Sequence, residues 1–89
     1  MAEIEQLQER LVQLDARAQT VDRAIAQLRR QQEADGLGLR NDMETADAKL
    51  NSYMQIARQD MQLSKTASAQ LDMDKAEAEL DTLEKFLGR

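Results

Sequence analysis

Apolar residues recur along the first third of the chain at alternating steps of three and four positions. This spacing keeps one narrow stripe of a helix directed at a partner helix, as in a coiled coil. We therefore expect a first helix from about residue 2 to residue 33. The stripe predicted to form its seam consists of Ile4, Leu7, Leu11, Leu14, Ala18, Val21, Ile25 and Leu28.

Glycine interrupts the pattern next, because the segment 34–39 contains Gly36 and Gly38, two of the three glycines in the chain. Glycine readily adopts the left-handed conformation that ends a helix, so we predict a turn at 34–39. A second helix should follow from about 40 to 87, with Asn41 as its N-cap and Glu44 completing a capping box. The chain would then form a single helical domain, 1–89.

The second predicted helix carries two apolar stripes. The first, which would pair with the seam of helix 1, consists of Leu39, Met43, Ala46, Leu50, Tyr53, Met54, Ala57 and Met61. The second consists of Ala69, Met73, Ala76, Leu80, Leu83 and Leu87. On one continuous helix their centres differ by roughly 100°, so the two stripes need different partners or a break between them.

Two all-α architectures satisfy this pattern. The preferred one is an antiparallel coiled-coil hairpin whose long second helix overhangs the first, with the second stripe as an oligomer interface that joins two chains into a four-helix bundle. In a parallel pair of first helices, Arg10 would face Asp15 and Arg17 would face Asp22 of the twin. The alternative is a three-helix bundle with a break near 64–68, where Ser and Thr could cap a new helix.

The amino-acid composition argues against several classes of function. The chain has no His or Cys, which removes the usual groups for acid–base, thiol and metal chemistry near neutral pH, so we expect no enzyme, cofactor or metal. A net charge of −5 and only two aromatic residues argue against nucleic acid as a partner. No apolar run is long enough to span a membrane and the start does not resemble a signal peptide, so we expect a cytoplasmic protein.

The class of function that remains is binding to other proteins. The sequence predicts an interaction or adaptor module that self-associates, as a homodimer, through its coiled-coil seams. The alternative is a small helical chaperone or secretion-associated protein, in which the methionine-containing stripe would hold client segments because Met adapts to varied surfaces.

Overall fold

The protein folds into three helices in a computed structural model that describes residues 2–34, 36 and 40–88. Helix α1 is Ala2–Ala34, α2 is Asn41–Gln62 and α3 is Thr66–Phe86. The all-helical prediction is confirmed, and the three-helix alternative fits the observed packing. The preferred continuous second helix is wrong, because the chain turns back at residues 63–65.

The turn between α2 and α3 has a specific hydrogen-bonded form. Ser64 has a φ of 57°, in the left-handed region, and its N–H donates to the Met61 carbonyl at 3.2 Å. The next N–H, that of Lys65, donates to the Asp60 carbonyl at 2.8 Å. These two bonds are those of a Schellman motif, which usually has glycine at the left-handed position. Ser64 therefore takes the position after α2 that glycine usually occupies, so neither glycine nor proline marks the end of this helix in the sequence.

Contacts between side chains fix the direction of each helix. Asp15 of α1 pairs with Arg58 of α2, and the later Asp22 lies beside the earlier Asp47, so these two helices are antiparallel. Arg10 and Arg17 of α1 pair with Asp74 and Glu84 of α3 in the same order, so these two run parallel. The result is an up-down-up bundle with extents of 51 × 18 × 17 Å. The long extent agrees with α1, whose 33 residues at 1.5 Å each span about 50 Å.

The core lies along the common axis of the three helices. Because the chain turns back, both stripes of the second half face α1, although they would point in different directions on one continuous helix. The buried apolar residues are Leu7, Leu14, Ala18, Val21, Ile25, Met43, Ala46, Leu50, Met54, Ala57, Ala69, Met73, Ala76, Leu80 and Leu83. Residues packed at their margin are Leu11, Leu28, Tyr53, Met61 and Leu87.

Helix ends differ in part from the expected caps. Helix α2 begins at Asn41 with Arg40 as its N-cap, and the Arg40 side chain makes no capping hydrogen bond. The Glu44 N–H donates to the Arg40 carbonyl, and the Asp42 carboxylate accepts from the Met43 N–H. The predicted capping box of Asn41 and Glu44 is therefore not formed. Asn41 is already the first residue of the helix, and the carboxylate that accepts a backbone N–H there is that of Asp42.

Candidate interaction surface

Exposed apolar side chains collect on the outer side of the α2–α3 pair. Ile56, Leu63 and Leu71 are 42%, 64% and 55% exposed. Single exposed apolar residues are ordinary on a protein surface, but a group of them on one face indicates a contact surface. We call these three residues the α2–α3 patch.

The helix register places the three residues together. Leu63, the C-cap residue of α2, follows Ile56 by about two turns on the same side of this helix. Between them in sequence lies Asp60, which accepts a hydrogen bond from the Ser68 hydroxyl of α3 at 2.7 Å and faces Asp72. Because α2 and α3 are antiparallel, this contact places Leu71, the residue before Asp72, at the same level along the bundle as the stretch between Ile56 and Leu63.

Three of the four lysines in the chain border the patch. Lys49 precedes Ile56 by seven residues and lies on the same face of α2, Lys65 follows Leu63 in the turn, and Lys75 follows Leu71 by one turn of α3. All three are exposed, and the Lys75 ammonium lies 5.8 Å from the centre of the Tyr53 ring. The three ammonium groups thus lie near the carboxylates of Asp60 and Asp72, in a protein whose net charge is −5.

Carboxylates are concentrated on a different side, between α1 and α3. Arg10 lies 2.8 Å from Asp74. Arg17 lies 3.3 Å from Glu77, 3.0 Å from Asp81 and 2.5 Å from Glu84. The contact with Glu84 is the main reason that the pKa of the Arg17 guanidinium is raised. These ion pairs form within one chain, whereas the sequence pattern had paired Arg10 and Arg17 with aspartates of a parallel twin.

Two pairs of aspartates lie between helices. Asp60 and Asp72 are 8% and 9% exposed, and burial, followed by hydrogen bonding and repulsion from Asp60, raises the pKa of Asp72. Between α1 and α2, burial and then Asp47 raise the pKa of Asp22 to about 6. One oxygen of Asp47, Oδ1, is buried and has no hydrogen-bond partner in the described part of the chain. In each pair, burial and the neighbouring carboxylate thus favour the protonated form of one aspartate, Asp72 or Asp22.

A cleft of about 350 Å³ opens at the end of the bundle where α3 stops before α1. Its lining residues are Ala24, Gln27, Leu28, Gln31, Phe86 and Leu87. The Arg40 guanidinium lies 4.9 Å from the centre of the Phe86 ring and covers part of this end. The polar amides and wide opening make the cleft less suited to an apolar anchor than the α2–α3 patch.

The structure assigns the predicted seam and interface residues to one core. In the first-helix set, Ile4, Leu11 and Leu28 are half-buried, while the other five are buried. In the set from the first half of helix 2, Leu39 lies outside the described residues, Tyr53 and Met61 are half-buried, and the rest are buried.

The predicted oligomer interface needs correction. Ala69, Met73, Ala76, Leu80 and Leu83 are fully buried inside a single chain, and Leu87 is half-buried at the end of the same core. They are covered because α3 folds back onto α1 and α2, so they do not form an exposed surface for a second chain.

Of the two glycines in the predicted turn, the structure describes Gly36. Gly36 has a φ of 78° and its N–H donates to the Glu33 carbonyl at 3.0 Å, whereas Gly38 lies outside the described residues.

Sequence reasoning missed the α2–α3 patch. Ile56 and Leu63 fall outside both predicted stripes, and Leu71 is similarly out of phase with its neighbours, so each reads as an isolated surface residue. The seven-residue spacing of Lys49, Ile56 and Leu63 is the signal that was present. The turn at Ser64 then brings Leu71 of α3 to the same level of the bundle as these residues.

Comparison of the chain with known protein families, curated proteins and solved structures found no match. Within the described ranges, no helix has the length and apolar character needed to cross a membrane. Over the same part of the chain, no group of three or more acidic, histidine or cysteine side chains is placed to hold a metal ion. The candidate surface therefore rests on the geometry of this chain alone.

Proposed function

We propose that this protein is a non-enzymatic protein-interaction module that binds a helix of its partner in the α2–α3 groove. The observation that carries the proposal is the α2–α3 patch, in which Ile56, Leu63 and Leu71 remain exposed on one face of a bundle whose other large apolar residues mostly line the core. Grooves of this kind accept the apolar face of an amphipathic helix through anchors spaced by one and two turns.

The bordering lysines add a charge preference. The ion pairs among the described residues are all formed by arginines, so Lys49, Lys65 and Lys75 remain available to a ligand. Their aliphatic stems can cover the edge of an apolar anchor while their ammonium groups contact carboxylates. A helix with leucines on one face and glutamates beside them matches both features of the groove.

The experiment is a nuclear magnetic resonance titration of the ¹⁵N-labelled protein with a designed amphipathic helix that carries leucine anchors and flanking glutamates. We expect amide shifts at Ile56, Leu63 and Leu71. Leu71→Glu should weaken binding about tenfold, because burial of the exposed 55% of this leucine is worth about 0.8–1.6 kcal/mol and the new carboxylate must in addition be desolvated. Gln70→Glu, which adds the same charge at a neighbouring exposed position, should change binding little.

Absence of binding, or shift changes that avoid the α2–α3 groove, would contradict this function. The chaperone alternative is not proposed, because three of the four methionines on the predicted faces are internal and the fourth, Met61, is half-buried. Met43, Met54 and Met73 are at most 2% exposed, so they offer no surface to a client segment.

A further inference from the structure

We propose that two copies of this chain can exchange their third helices and form a closed two-fold dimer. In the exchanged form, residues 63–65 become helical, α2 and α3 join into one helix, and α3 of each chain packs on α1 and α2 of the other. The partner is a second copy because only an identical chain offers the core that α3 already fits. The stripe of α3 that enters this core has no exposed surface in the monomer; it consists of Ala69, Met73, Ala76, Leu80 and Leu83.

The turn that opens in this exchange is short and strained. It consists of residues 63–65, and Ser64 has a φ of 57°, which is unfavourable for a residue with a Cβ. In the turn between α1 and α2, the residue with a positive φ is Gly36, for which this conformation carries no such penalty. Short connections under strain favour exchange of the element that follows them. The strain therefore selects the α2–α3 turn as the hinge and α3 as the exchanged element.

The segment around the hinge can form a continuous helix. From residue 41 to residue 87 the sequence contains neither glycine nor proline, and residues 62–65 are exposed, so straightening the turn displaces no buried side chain. On a continuous helix the two apolar stripes need different partners. The exchanged dimer supplies them, because the first stripe stays on α1 of its own chain while the second packs on α1 of the other chain.

The exposed apolar residues near the turn align in the exchanged form. In the monomer, Ile56 and Leu63 belong to the end of α2 and Leu71 belongs to α3. On a continuous helix, Ile56, Leu63, Ala67 and Leu71 follow one another at steps of seven, four and four residues, so they lie on one side of it. We call these four residues the hinge stripe, and all of them are exposed in the monomer.

The aspartate pair shows which side of the continuous helix faces the second chain. Asp60 accepts a hydrogen bond from Ser68 of α3 and faces Asp72, so in the dimer it faces the other copy. Ala67 and Leu71 follow Asp60 by seven and eleven residues and therefore share its side of the continuous helix. The two-fold axis lies near residue 66, halfway between the two aspartates, and the hinge stripe spans this point in both chains. The exchange thus buries apolar surface that the monomer leaves exposed and keeps each aspartate pair, now between chains.

Refolding at high concentration is the way to form the dimer, because α3 must leave its own core before it meets a second chain. We expect refolding from urea at about 1 mM to give a dimer that size-exclusion chromatography separates from the monomer, and refolding at about 10 µM to give the monomer. Ser64→Gly should lower the association constant about a hundredfold or more, because glycine relieves the turn and disfavours the helix in both chains. Ser64→Ala should raise it about fivefold, because alanine keeps the strain and favours the helix.

Matched variants separate the hinge from general effects on helices. Ser52→Gly and Ser52→Ala make the same changes at an exposed position that is helical in both forms, so they should leave the association constant unchanged. Leu63→Ala should lower it about tenfold, because the hinge stripe loses apolar burial in both chains. Val12→Ala, at a residue that is 67% exposed on α1, should not.

Spin labels identify the exchange itself. A chain labelled at Thr20→Cys and Lys85→Cys is refolded with an excess of unlabelled chain, and monomer and dimer are isolated. In the monomer the two labels should lie about 15–25 Å apart, because α1 and α3 are neighbours. In the dimer they should lie more than about 40 Å apart, because α3 of the labelled chain packs on the other copy.

Three results would overturn the proposal: no dimer from the wild type or from Ser64→Ala after refolding at about 1 mM, a dimer in which the label distance stays at its monomer value, or a Ser64→Gly variant that dimerises as well as the wild type. Binding of the designed helix in the α2–α3 groove is measured on the monomer. A protein that binds this helix and yields no exchanged dimer would therefore refute the exchange and leave the proposed function standing.

Discussion

Replacing Ser64 with glycine tests the turn on which the three-helix fold depends. Ser64 has a φ of 57°, where a residue with a Cβ is disfavoured by about 1–2 kcal/mol. Glycine removes that penalty but adds entropy to the unfolded chain, which opposes the gain by about 0.4–1 kcal/mol. The net expectation for Ser64→Gly is a stabilisation of about 0.5–1 kcal/mol.

Thermal unfolding followed by circular dichroism measures this effect. For a domain of this size, the gain corresponds to a rise in Tm of about 2–8 °C. Ser52→Gly is the matched control, because Ser52 is exposed in the interior of α2, where glycine should lower stability by about 0.5 kcal/mol. A fall in Tm for Ser64→Gly similar to that of the control would refute the reasoning, since a continuous helix through residue 64 predicts that sign.

Three further predictions concern charge and packing. Because the pKa of Asp22 is raised to about 6, the folded state binds an extra proton and wild-type stability falls as pH rises from about 4 to about 6. Asp22→Asn should therefore be more stable than the wild type above pH 6 by about 1–2 kcal/mol, a value reduced for partial exposure, and the difference should shrink toward pH 4. Arg17→Gln should lose about 1–2 kcal/mol at low salt and less at high salt, as urea unfolding would show. Leu80→Ala should lose about 2–5 kcal/mol in the same assay, because its side chain is fully buried.

Each of these has a control of the same chemistry. Glu9→Gln removes an exposed carboxylate from α1 and should leave the pH dependence of stability unchanged. Arg23→Gln removes an exposed arginine and should show little salt-dependent loss. Leu63→Ala should cost little, because Leu63 is 64% exposed. Equal effects in a variant and its control would mean that the contact assigned to that residue is not formed.

Local periodicity was sufficient to predict an all-helical chain, the first helix and most of the residues that face the core. The steps of three and four from Ile4 to Leu28 and from Met43 to Met61 predict faces that the structure buries for the most part. The second stripe was also recognised, but it was assigned to another chain. That error followed from treating the absence of glycine and proline as evidence for a continuous helix.

The choice at Ser64 depends on tertiary packing. Left-handed serine is locally unfavourable, so propensity argues for a helix through this position. Turning back lets Leu80 and Leu83 become fully buried, and burial of each such side chain is worth about 1.5–3 kcal/mol, which exceeds the local cost. The α2–α3 groove could not be predicted from the sequence pattern for the same reason. It forms only because the chain turns back at Ser64.

The separation between Thr20 and Lys85 is the most direct test of the fold-back that creates both the core and the groove. The chain has no cysteine, so Thr20→Cys and Lys85→Cys give two clean sites, both exposed, for spin labels. Pulsed electron–electron double resonance, with labelled protein diluted into unlabelled protein, should give a distance of about 15–25 Å, because α1 and α3 are neighbouring parallel helices whose axes lie about 8–10 Å apart. A continuous second helix would place the two labels more than about 40 Å apart at 1.5 Å per residue, and a distance in that range would contradict the account.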